Sequence, residues 1–137
     1  MTTVNTLSGS CLCGTVRYTA TGEPERFYHC HCSRCRKATG TGHASNLFLQ
    51  GSLQWNSGEA SLKRYTLPEA ERFSNTFCGE CGSRMPLAIE AAGMVFIPAG
   101  SLDEDPAFMP QARIFQGSRA SWSCDASDIT CFEEYPS

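Results

Sequence analysis

The sequence predicts an all-β fold with one short helix, and three observations carry that expectation. Short runs rich in β-branched and aromatic residues recur along the chain, separated by Gly, Pro, Ser and Asn turn signals. Only the stretch from Ser33 to Gly40 offers helix signals, a capping residue in front and a glycine behind. Two cysteine pairs far apart in sequence, Cys11/Cys13 and Cys78/Cys81, are spaced to tie the strands together through one metal ion.

Taken in order, residues 1–9 are polar and read as loose. Residues 15–20 alternate as a strand, Gly22-Glu23-Pro24 reads as a turn, and residues 26–29 form a second strand. Ser33 is the expected cap of a helix over residues 34–39, which Gly40 ends. Strands follow at 43–49 and 52–56, with a turn at Gln50-Gly51, and at 61–66 beyond a turn at Ser57-Gly58. Residues 72–77 lead as a strand into the second cysteine pair. Residues 84–90 and 94–99 read as a hairpin around Ala91-Ala92-Gly93. Residues 100–110 hold Asp103, Glu104, Asp105 and two prolines, so they are loop. A last strand covers 112–116, and the tail from Ser121 is irregular. No repeat beyond the cysteine pairs, low-complexity tract or linker divides the chain, so 137 residues read as one domain spanning 1–137.

Composition narrows the function. A net charge of -3 and a pI near 5.6 argue against a nucleic-acid partner. No apolar run approaches the ~20 residues of a membrane span. The first residues lack the charged and apolar segments of a secretion signal, so the expected location is the cytoplasm. Nine cysteines are many for this length, and their number is odd. In a reducing compartment such spacings favour metal over disulfides.

Each of the two pairs is followed by Gly, which tolerates the positive φ of the tight turn that aims both sulfurs at one ion. Together Cys11, Cys13, Cys78 and Cys81 make a Cys₄ tetrahedron, the closed form of a structural zinc site. A third group, Cys30, Cys32 and Cys35, lies within six residues and offers only three sulfurs. Zinc is the expected ion here too, with one position left open for chemistry. The competing reading is a second structural site completed by His29, His31, His43, Cys124 or Cys131. His31 sits between two cysteines in extended chain, so its side chain is expected on the opposite side. All three histidines read as packing or hydrogen-bonding residues, and Cys124 and Cys131 as free thiols. Arg34, Arg36 and Lys37 flank the triplet, with Arg17 a more distant candidate. They are either a solvated helix face or the cations that receive a substrate's carboxylates and hold the thiols as thiolates. Phe27, Tyr28, Phe48 and Trp122 read as core, with a pocket lining as the alternative.

The stretches G-S-C-L-C-G-T-V-R-Y, H-C-H-C-S-R-C-R-K-A-T-G and F-C-G-E-C-G-S resemble the glutathione-dependent formaldehyde-activating family, whose domain also occurs in centromere protein V. The likeness runs from Gly9 to about Trp122 and includes Ala99-Gly100-Ser101-Leu102-Asp103. It implies a tent-like β fold with two zincs, structural at Cys11, Cys13, Cys78 and Cys81, catalytic at Cys30, Cys32 and Cys35. It implies a carbon–sulfur lyase that joins glutathione, or a similar thiol, to formaldehyde or another small aldehyde as the S-hydroxymethyl adduct. Members often carry His-Ile before the final Trp where this chain has Arg113-Ile114, a difference that implies an altered substrate if that His positions substrate in relatives. Against the enzyme stand a module that binds glutathione or a protein partner without turnover, and a thiol-based redox sensor.

Overall fold

The computed structural model describes residues 5–123 and 126–136. Cys124 lies outside them. The chain is β-rich, as expected, and among the described residues it has one α-helix.

Two long strands form the centre. β1 (Asn5–Ser10) pairs antiparallel with β2 (Arg17–Cys30), and β2 with β3 (Ala44–Ser57). The sheet continues from β3 to β8 (Met94–Pro98) and then to β7 (Leu87–Ile89). β9 (Ala112–Ile114) runs parallel to the far end of β2, with Cys30 opposite Ile114. A second sheet holds β4 (Leu62–Thr66), β5 (Ser74–Cys78) and β6 (Arg84–Met85).

The turns read at Gly22-Glu23-Pro24 and Gln50-Gly51 are not turns. β2 and β3 run through them as single 14-residue strands. Gly22 faces Gly51 across the pair, and a Cβ on either would strike a backbone carbonyl of the other strand, that of Gln50 or of Thr21. The glycines mark a close backbone approach inside a ladder. A register shift between Pro24 and Arg26 absorbs the proline, which has no N–H to give. Residues 5–10, read as loose, form β1. Only Leu7 and Gly9 are buried there, and Gly9 lies against the Tyr18 ring where a side chain would not fit. The hairpin after residue 84 is also corrected. Pro86 separates β6, which pairs with β5, from β7, which alone makes the hairpin with β8. Gly93 takes the left-handed conformation at that turn, φ 65°.

The core is made by inward residues of the large sheet. Val16, Tyr18, Ala20, Leu47, Leu49, Val95 and Ile97 are buried together with Met85 of the small sheet. Each Val, Leu, Ile or Met among them contributes about 1.5–3 kcal/mol by leaving water. Tyr18 keeps its hydroxyl paired with Ser101 Oγ at 2.6 Å, so its burial leaves no polar atom unmet. Cys11 and Cys78 belong to the same core, which joins it to the first cysteine group.

Candidate metal centres and the adjoining cleft

The first cysteine group is built from two matching turns. After β1 the chain turns at Cys11–Gly14, closed by Gly14 N–H donating to Cys11 O at 3.0 Å, with Gly14 at φ 81°. After β5 it turns at Cys78–Gly82, closed by Gly82 N–H to Cys78 O at 2.8 Å, with Gly82 at φ 80°. In each turn a backbone N–H points at the first sulfur, Val16 N to Cys11 Sγ at 3.2 Å and Glu80 N to Cys78 Sγ at 3.4 Å. Ser83 joins the two turns. Its hydroxyl accepts from Leu12 N at 2.9 Å and lies 3.2 Å from Cys81 Sγ. That hydroxyl, with the backbone N–H groups of Ser83 and Cys13, pulls the Cys81 thiol down to about 5.

All four sulfurs lie within 4.8 Å of one another, with Cys11–Cys13 at 3.6 Å and Cys13–Cys78 at 4.0 Å. Four thiolates around a tetrahedral ion at ~2.3 Å would have edges of about 3.8 Å, so the donor set fits zinc. These cysteines form no disulfide. A cation is what makes four close thiolates tolerable in a partly buried corner.

The second group is built from a strand end and a helix start. Cys30 closes β2, and α1 (Ser33–Thr39) begins at once. Its N-cap is Cys32, not Ser33: Cys35 N–H donates to Cys32 Sγ at 3.3 Å. Gly40 ends the helix in the left-handed conformation, as the sequence indicates. Cys30, Cys32 and Cys35 also lie within 4.8 Å of one another, and among the described residues no fourth His, Cys, Asp or Glu joins them. Burial pushes the Cys30 thiol up, and burial together with the neighbouring Cys30 and Cys32 pushes Cys35 up further. Burial opposes ionisation of Cys32 too, but the Cys35 N–H and the adjoining thiols outweigh it and bring that thiol down. Ala44, Phe73 and Ile114 pack around the triplet, and Asn46 Nδ2 lies 3.9 Å from Cys35 Sγ.

The histidines stand apart from both sulfur groups. His31 is fully buried, with Arg113 Nη1 3.4 Å from its Nε2. His29 and His43 stack at 4.0 Å between ring centroids. Burial, reinforced by His43 and Arg113, keeps His29 and His31 below the ordinary imidazole value. Burial and Arg113 do the same for His43. The three therefore stay neutral near pH 7. Cys131 is exposed in the tail.

A cleft of about 560 Å³ opens beside the four-sulfur corner and reaches Ala44 and Asn46, which pack on the triplet; Cys30, Cys32 and Cys35 are not themselves in its lining. Cys11, Leu12 and Ser83 border it on the side of the four-sulfur corner, and Ala44 and Asn46 on the side of the triplet. Arg34 and Lys37 are exposed and Arg36 half-buried, and none of the three lines this cleft; helix α1 reaches it through Ala38 and Thr39. Arg17, exposed, is not in its lining either. Phe27 is core, Tyr28 and Phe48 are half-buried, and Trp122 is 66 % exposed. The residues that sequence reasoning passed over are Asn46, Asn75 and Arg84, all in the lining. The signal available for Arg84 was a lone cation opening an otherwise apolar stretch, Arg84-Met85-Pro86-Leu87.

Fold and sites together define a β-rich domain with one closed and one open cysteine cluster, either able to hold a metal ion. The chain belongs to the glutathione-dependent formaldehyde-activating enzyme family, whose model matches residues 6–118. A Halomonas elongata protein provisionally named as such an enzyme is 34 % identical over 88 residues, 58 % of this chain. The match spans 54 % of that relative's length, so this chain corresponds to about half of it. A crystal structure of a Rhodobacter sphaeroides protein has the same fold, with a TM-score of 0.50 at 21 % identity over 78 % of this chain and 98 % of the other. No helix among the described residues is long and apolar enough to cross a membrane.

Proposed function

We propose that the protein is a zinc-dependent carbon–sulfur lyase that joins glutathione, or a similar thiol, to formaldehyde or another small aldehyde. The observation that carries this reading is the three-sulfur cluster, short of one ligand among the described residues and joined to the cleft through Ala44 and Asn46. Zinc held by Cys30, Cys32 and Cys35 would lower the pKa of a thiol taken as fourth ligand or polarise the aldehyde oxygen. In the reaction a sulfur–carbon bond forms, the C=O bond becomes single, and the thiol proton passes to the carbonyl oxygen. The chain's own residues orient and shield this addition. Ala44, Phe73 and Ile114 close the triplet off from water on one side, and Asn46 holds a donor toward Cys35. Cys11, Cys13, Cys78 and Cys81 would keep a second zinc as a staple between the N-terminal turn and β5.

Three thiolates on one Zn²⁺ leave a net negative site, a weaker Lewis acid than a zinc held by neutral imidazoles. That charge favours holding and delivering a thiol over strong activation of the aldehyde. Thiols add to formaldehyde unaided, so the test is the rate above that background. Cys32→Ser should bring the thiol–formaldehyde rate down to the uncatalysed one. An unchanged rate would remove the main support for this reading and leave the family domain as a thiol-binding module.

A further inference from the structure

Among the described residues lining the cleft, Arg84 is the one with a formal charge, and none is acidic, in a chain whose net charge is -3. The guanidinium is held in place by its surroundings. Its Nε donates to Asn75 Oδ1 at 2.8 Å. Its Cζ lies 5.0 Å from the centre of the Phe96 ring and 5.8 Å from that of Phe73. Nη1 is buried and has no acceptor. A half-buried cation with an unmet buried N–H costs stability unless something supplies the missing acceptor. Phe73 packs on the cysteine triplet as well as under Arg84, so the guanidinium sits one ring away from the sulfurs. Burial opposes its charge, and negative charge on the sulfurs of Cys35, Cys30 and Cys32 favours it, in keeping with that proximity. A guanidinium fixed by stacking and by one side-chain amide is held ready to donate its remaining N–H groups to a carboxylate.

We propose that Arg84 is the carboxylate-receiving residue of the cleft and makes the site selective for thiols that carry a carboxylate. This rests on the reading of Cys30, Cys32 and Cys35 as the thiol site. It moves the expected anion contact from the exposed face of helix α1 to β6. Asn75 is then a positioning residue, because it acts through the orientation of Arg84. An uncharged thiol would find the same sulfurs but nothing to answer the guanidinium.

The test compares glutathione with its diethyl ester by calorimetry on the metal-loaded protein as purified. The ester keeps the thiol and loses both carboxylates. The wild-type protein should bind glutathione about ten- to a hundredfold more tightly, the range that a charge-assisted hydrogen bond supports. This preference runs against the chain's net negative charge, which by itself favours the more cationic ester. Arg84→Met should erase the preference while leaving ester binding in place, and Arg84→Lys should keep part of it. Because the first comparison needs no variant, poor folding of Arg84→Met does not spare the proposal. Equal binding of the two ligands by the wild-type protein overturns it. So does a preference that survives Arg84→Met, or one lost in Arg36→Gln instead. If neither thiol binds, the thiol-site reading fails and the proposal falls with it; equal binding overturns the proposal alone.

Discussion

The two sulfur groups use one kind of ligand and differ in how the backbone delivers it. The four-sulfur corner comes from two turns far apart in sequence, each with a left-handed glycine and an N–H aimed at a sulfur, and it is embedded in the main core. The triplet comes from one continuous stretch, a strand end running into a helix, and packs against a small satellite of Ala44, Phe73 and Ile114. The first arrangement joins segments that the chain separates, so losing it opens a long loop. The second joins residues already adjacent, so it adds little cross-linking and leaves a position free. In the proposed function, loop closure rather than ligand chemistry is what would separate a staple from a working site.

The largest expected effect is therefore at Cys78, which is fully buried at the end of β5. Cys78→Ser should remove a metal whose binding is worth about 10 kcal/mol or more in small zinc domains, comparable to the whole stability of a domain. Circular dichroism should show an unfolded or aggregating chain, and a cooperative melt near the wild-type temperature would break the comparison.

Tyr18 probes the core that the large sheet shares with the four-sulfur corner. Burial raises its hydroxyl from 10.0 to about 12, partly offset by the bond to Ser101. A raised folded value means stabilisation fully present below pH 10 and lost as pH rises toward 12. Two pH units correspond to about 3 kcal/mol. Denaturant titrations of wild type and Tyr18→Phe should diverge across that window, with the variant missing this part of the alkaline loss. Parallel curves would show that the sheet does not depend on the neutral phenol.

Ser83→Ala removes the hydroxyl that bridges the two turns of the closed corner. It should cost about 1–2 kcal/mol and speed metal release from the corner. Release kinetics with a chelator would show this, and unchanged kinetics would mean that the bridge does not hold the corner. The smallest stability effect belongs to the open group. Cys32→Ser should lose one metal equivalent yet change stability by less than about 1 kcal/mol, because Ser is itself a favoured N-cap. A melt lowered as far as that of Cys78→Ser would erase the distinction between staple and site.

The sulfur grouping was legible in the sequence because metal geometry forces short spacings and glycines that local chain can satisfy. The helix was legible for the same reason, apart from its cap: Cys32 takes that place because its sulfur already faces the Cys35 N–H. The long strands were not legible. Gly22 and Gly51 carry a turn signal, and only their meeting across the ladder turns it into a close approach. β1 was hidden because six mostly polar residues become a strand only when β2 offers an edge and Gly9 makes room for Tyr18. Arg84 escaped notice because its isolation from carboxylates is a property of the assembled cleft, which no local pattern records.

The central claim is a closed and an open metal site in one small domain. Native mass spectrometry of protein purified without added metal, before and after glutathione, tests it most directly. The account predicts two zinc ions per chain and a glutathione adduct that displaces neither. One zinc and no adduct would leave the Cys11–Cys13–Cys78–Cys81 staple standing and contradict the open site at Cys30, Cys32 and Cys35.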